Sequence, residues 1–191
     1  MKRRRPSRRP RSKTRTTRAR YDCLDVLTGD EAQAVLQELL STHPGLIPDA
    51  QRTANTLLAA VSFGEVADNV LAVLRAIDLD DLDAGRHAGG YVEPSEAAWE
   101  VIENAVKPYL LDLQRRMKLG HEDEAVEVCK GIVLGLYRAE RSGFELLEYA
   151  VDCPSELAGR AVEIWQRRRR HHALPRTFVE KFTPDWEWLV R

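Results

Sequence analysis

From Thr28 onward, apolar positions recur at three- and four-residue spacing almost without interruption, the period of helices that bury one face. Thr28, Gly29, Asp30 and Glu31 make a capping-box pattern: the hydroxyl reaches the amide three residues on and the carboxylate reaches back. Behind it Ala32, Val35, Leu36, Leu39 and Leu40 form one stripe, which His43, Pro44 and Gly45 stop. Pro48 stands at a first-turn position and opens a second helix carrying Ala54, Leu57, Leu58 and Val61. Ser62 and Glu65 repeat the capping pattern before a third helix, with Val66, Val70, Leu71, Leu74 and Ile77 on its inner face. The short turns between these helices predict antiparallel hairpin partners.

A second series begins at Glu93, Pro94 and Ser95. The longest helix runs from there to about Leu119, with Trp99, Ile102, Val106, Tyr109, Leu110, Leu113 and Met117 on its apolar face. Pro108 removes one backbone hydrogen bond at its middle and predicts a kink. Residues 120–124 turn the chain into a helix striped by Ala125, Val128, Cys129, Ile132, Val133 and Leu136. Gly131 and Gly135 share one side of it, at a cost of roughly 1 kcal/mol each in helix propensity. Close approach of a partner helix is the expected compensation, with Tyr109 or Trp99 as its neighbours. One more helix runs from Pro154 through Leu157, Ala161, Ile164 and Trp165.

The pattern predicts six helices, short turns and no strand. It implies an all-α fold of antiparallel helix pairs, forming an irregular bundle or a short α-solenoid. The chain divides on the same evidence into a disordered basic tail (1–20), a helical domain (21–172) and a C-terminal aromatic segment (173–191). That last segment holds Phe178, Phe182, Trp186 and Trp188. It is too apolar for plain tail, so it docks on the helical domain or is offered to a partner as an anchor.

Charge changes the picture where composition does not. With 43% hydrophobic and 31% charged residues in 191, the chain can bury a core without disulfides or metal. Three cysteines suit a reducing, cytoplasmic setting, and no apolar run reaches the ~18 residues of a membrane helix. The near-neutral total of −1, however, hides +11 in residues 1–20, −16 in 21–165 and +4 in 166–191. The first of these segments has no apolar core after its arginines and reads as neither secretory signal nor transit peptide.

Arg3, Arg4, Arg5, Arg8, Arg9 and Arg11, with Arg167, Arg168, Arg169 and Arg170, are the candidate phosphate contacts. Such arginines release counterions from DNA or RNA and give sequence-independent, salt-sensitive affinity. No aromatic is interleaved before Tyr21, so bases find no stacking platform. The competing reading is a solvated tail that screens the acidic body.

Catalytic and metal chemistry find few parts. The acids from Asp78 to Asp83 fit no calcium loop, because counting from Asp78 places Leu82 at the fifth position and counting from Asp81 places Arg86 at the sixth. The Gly-rich run 85–90 lacks the Lys and Ser/Thr of a phosphate loop and reads as a turn, with His87 and Tyr91 as candidate partner-binding side chains beside Trp186 and Trp188. Cys129 lies on an apolar stripe, Cys153 in a turn, and His43 and His121 at helix ends. Carboxylate pairs such as Glu96/Glu100 and Asp123/Glu127 are what any acidic helix supplies. No catalytic residue, metal site or cofactor is expected, and no enzyme.

The segment from Tyr91 to Tyr137, with Tyr91 to Ser95, Leu119 to Cys129 and Leu134 to Tyr137, is similar to helical-hairpin stretches of uncharacterised bacterial proteins, some of which accompany SWIM zinc fingers. The likeness spans about a quarter of the chain and implies a helical repeat. The zinc finger itself is missing, since the sequence contains neither Cys-X-Cys nor Cys-X-His. Together these readings predict a non-catalytic helical module for protein–protein interaction or scaffolding, with sequence-independent nucleic-acid association as the alternative.

Overall fold

A computed structural model describes residues 23–78, 93–167 and 173–190, and every regular element among them is helical. The basic segment 1–20, His87 and Tyr91 within residues 79–92, and Arg168, Arg169 and Arg170 lie outside the described residues. The chain falls into two compact units, Met1–Gln51 and Arg52–Arg191.

In the first unit, α1 (Gly29–Thr42) starts on the capping box expected of Thr28. The Thr28 amide donates to Glu31 Oε2 at 2.8 Å, and the Glu31 amide donates to Thr28 Oγ1 at 3.4 Å. These bonds hold the Glu31 carboxyl below its ordinary pKa. Pro44–Leu46 forms a 3-10 turn and leads into α2 (Ile47–Ala59), within which the unit boundary falls. Neither helix contains a buried residue.

The second unit holds α3 (Phe63–Arg75), α4 (Pro94–Leu119), α5 (Glu122–Arg141), α6 (Cys153–Gln166) and α7 (Arg176–Phe182). Ser62 is the N-cap residue of α3, but its hydroxyl makes no capping bond, so the second capping box does not form. Helix α4 continues through Pro108, and its end is a Schellman motif: Gly120 takes φ 82° while His121 N–H donates to the Arg116 carbonyl at 3.0 Å. Glycine is required at that step because the left-handed backbone strains any residue with a Cβ.

Helix α5 is the centre of the core and packs on α3, α4 and α6. Residues 131 to 137 are all buried, so it is apolar nearly all round, as a helix surrounded by others must be. Its closest neighbour is α3, not the aromatics of α4 that the sequence suggested. A Cβ built on Gly131 would lie 2.4 Å from Val66 Cβ, and one on Gly135 would lie 2.7 Å from Val70 Cβ. The Phe63 and Ala67 carbonyls would stand 2.9 Å from the same two atoms. The two glycines thus form a groove that receives the Val66–Val70 ridge of α3, two residues one helical turn apart.

The C-terminal segment packs on this same pair. Phe63 of α3 meets Phe178 and Phe182 edge-on, at centroid distances of 5.7 and 5.4 Å. A 3-10 stretch, Pro184–Val190, then lays Trp186 edge-on against Tyr137 of α5, 5.3 Å between centroids.

Candidate interaction surfaces

Helix α1 carries the stripe that its sequence pattern demands, and that stripe is left half exposed. Val35, Leu36 and Leu39 are between 44% and 48% exposed. With Glu38, Thr42 and His43, Val35 and Leu39 line a shallow apolar cleft of about 300 Å³. Leu24, Val26, Leu46 and Ile47 are exposed in the same unit, so large apolar side chains concentrate there rather than scatter singly. The charges on α1 are of one sign: Asp30, Glu31 and Glu38, with no base between residues 29 and 42. Periodicity marks such a stripe, but it cannot say what, if anything, covers it. For that reason sequence reasoning did not single these residues out.

The aromatic candidates separate. Trp186 is buried, and its ring is committed to Tyr137, so it is a core residue and not an accessible anchor. The fastening there is polar as well. Tyr137 Oη donates to Asp185 Oδ2 at 2.7 Å, and Arg141 Nη2 lies 2.5 Å from the same oxygen. Burial, and then the bond to Asp185, push the Tyr137 phenol above its ordinary pKa. Trp188 is 42% exposed and rests against Gly159 of α6. Of the ten arginines singled out, only Arg167 is described; it is exposed at the end of α6.

Two of the three thiols are withdrawn, while Cys23 is exposed. Cys129 and Cys153 are buried, and burial pushes both thiols up to about 12. Cys153 is not a loose turn residue, as its place before Pro154 implied, but the first residue of α6, facing the core. At neutral pH both stay protonated and non-nucleophilic. His121 Nδ1 stands 3.7 Å from Glu124 Oε2 across the first turn of α5, and His43 is exposed at the end of α1. Among the described residues no group of three or more His, Cys, Asp or Glu side chains could hold a metal ion. A cleft of about 420 Å³ beside α7 is lined by Leu174, Val179 and Val190, and its Arg176 and Glu180 pair with each other at 3.1 Å.

One buried charge is structural. Arg116 of α4 is 7% exposed, pairs with Asp112 Oδ2 at 2.7 Å, and donates to the Leu58 carbonyl in the last turn of α2. It thereby satisfies one of the carbonyls that every helix end leaves open. No single helix among the described residues is long and apolar enough to cross a membrane; α2 and α3 pass that test only when joined across a bend, and α3 buries Ala67, Val70 and Leu74 in the core. No family model, no curated protein and no solved structure matches the chain.

Proposed function

We infer that the protein is a non-catalytic helical interaction module whose N-terminal unit receives an apolar helix face of a protein partner along Val35, Leu36 and Leu39. One observation carries this reading: an amphipathic helix with a regular stripe leaves three large apolar side chains at 44–48% exposure. Covering a side chain of that size stabilises by roughly 1.5–3 kcal/mol from full exposure, so three half-exposed ones offer a partner a useful share of that. The spacing of Ala32, Val35, Leu36 and Leu39 suits a helix laid along the groove.

A photo-crosslinking residue at position 36 of the full chain is the test. A discrete partner adduct is expected there and not at Gln37. The double substitution Leu36→Asp with Leu39→Asp abolishes the interaction while leaving the unfolding midpoint in place. An undiminished interaction in that variant would rule the surface out.

A second reading, nucleic-acid association, is favoured by the eleven basic residues and no acid in 1–20. Substituting Arg3, Arg4, Arg5, Arg8, Arg9 and Arg11 by Gln lowers the salt dependence of binding to random DNA or RNA under this reading. Absence of low-salt affinity in the unsubstituted chain removes it.

A further inference from the structure

We propose that Trp188, Glu156 and Glu163 form a recognition notch for an arginine side chain of a basic peptide belonging to a partner protein. The notch is independent of the apolar stripe on α1 and lies wholly within the second unit. It is a surface groove of about 400 Å³ lined by Ser155, Glu156, Gly159, Arg160, Glu163 and Trp188.

The sequence of α6 builds the floor. Glu156, Gly159, Arg160 and Glu163 follow one another at three- and four-residue spacing and so share a face. The indole of Trp188 lies over Gly159: a Cβ at that position would sit 3.5 Å from Trp188 Cζ3, at ordinary contact distance. Trp186, itself buried, also stands against Trp188, with 6.1 Å between ring centroids and 46° between the ring planes. A tryptophan fixed on two sides yet 42% exposed has one part of its surface left for a ligand.

Electrostatics decides the kind of ligand. The notch's own cation, Arg160, is spent on an ion pair with Glu103 of α4. Glu156 and Glu163 are exposed, and neither pairs with a cation among the described residues. They stand seven residues apart, about 10 Å along the helix axis, with the indole beside the interval. A cation placed between them meets the negative face of the ring and two uncompensated carboxylates. A planar guanidinium stacks on an indole and offers donors in its own plane to carboxylates at its edges, which an ammonium cannot do. The surroundings favour a cation of either kind, because both glutamates belong to residues 21–165, which carry a net charge of −16.

The test uses the full chain, labelled at its four tryptophan indoles, at low ionic strength. A capped tetra-arginine peptide is titrated in, with tetra-lysine in parallel. The Trp188 indole resonance, assigned through Trp188→Phe, is expected to shift while those of Trp99, Trp165 and Trp186 stay in place. Tetra-lysine binds at least about threefold more weakly. Glu156→Gln with Glu163→Gln lowers arginine-peptide affinity by about tenfold and leaves the unfolding midpoint unchanged, since both side chains are exposed. Equal affinities for the two peptides, shifts spread over all four indoles, or an affinity untouched by the glutamines would overturn the proposal. So would a Trp188 shift that follows protein concentration alone, which would identify the basic segment of a second copy as the occupant.

Discussion

Val66 of α3 rests on Gly131 of α5 with no room for a methyl group between the two helices. The next turn repeats the relationship with Val70 and Gly135. Two glycines that weaken α5 as an isolated helix therefore set how closely the core can close. The helix-propensity deficit is small beside the packing that two adjacent backbones gain.

Gly131→Ala and Gly135→Ala are accordingly expected to destabilise, although alanine is the better helix former by about 1 kcal/mol. Overpacking costs typically 1–3 kcal/mol, and a backbone carbonyl that cannot give way puts these sites in the upper part of that range, about 2–3 kcal/mol, so the net loss is on the order of 1–2 kcal/mol for each. Pairing Gly131→Ala with Val66→Ala recovers only part of it, because alanine keeps the Cβ at position 66 that crowds the new methyl most closely and the Phe63 carbonyl still stands 2.9 Å from it. Gly159→Ala, whose methyl meets Trp188 at ordinary contact distance, is the matched control and is expected to stabilise by up to about 1 kcal/mol. Urea unfolding of the three single variants checks the order.

The Asp112–Arg116 pair makes stability fall at low pH. Burial pushes the Asp112 carboxyl up, but hydrogen bonds from Arg116 and Arg115 and their charges outweigh it, so the folded pKa lies below the ordinary value. A depressed carboxylate contributes stability that is fully present above about pH 4 and is lost as pH falls through the folded value. Asp112→Asn removes this acid limb. Near neutral pH it costs about 1–3 kcal/mol, because Arg116 stays buried without its charged acceptor. Unfolding free energies between about pH 6 and about pH 3 separate the variant from the parent chain.

Tyr137→Phe tests how the C-terminal segment is fastened. It keeps the edge contact with Trp186 and deletes the donor to Asp185, for a loss of about 0.5–1.5 kcal/mol. The raised phenol of Tyr137 contributes stability that is present below about pH 10 and lost as pH rises beyond it. The Phe variant loses that share of the alkaline dependence and keeps the share due to the raised thiols of Cys129 and Cys153 and the raised phenol of Tyr109, so stability measured at two alkaline pH values falls less steeply than in the parent chain.

Thiol labelling reports directly on the withdrawn cysteines. In the native protein at about pH 8, Cys23 reacts at once and Cys129 and Cys153 stay silent, because both are buried and protonated there. Denaturant releases the two together with the loss of helix signal. Early labelling of either would show that the core around α5 opens locally.

The helical character, the order of the elements and most of their ends are legible in the residue pattern alone. These are local matters, written in periodicity, in Thr28 with Glu31, and in prolines and glycines at turns. The short helix α7 escaped because seven residues between Pro175 and Thr183 are too few to show a period. Which face meets which is a matter of packing between elements. A stripe states that a face is apolar, not what covers it: α1 and α5 have the same kind of pattern, yet Val35 and Leu39 lie open while Val128 and Ile132 are enclosed. Likewise Trp186 and Trp188, two residues apart, differ in burial because one meets Tyr137 and the other spans Gly159 beside an acidic groove. Those outcomes depend on contacts between residues distant in the chain, which spacing along it does not encode.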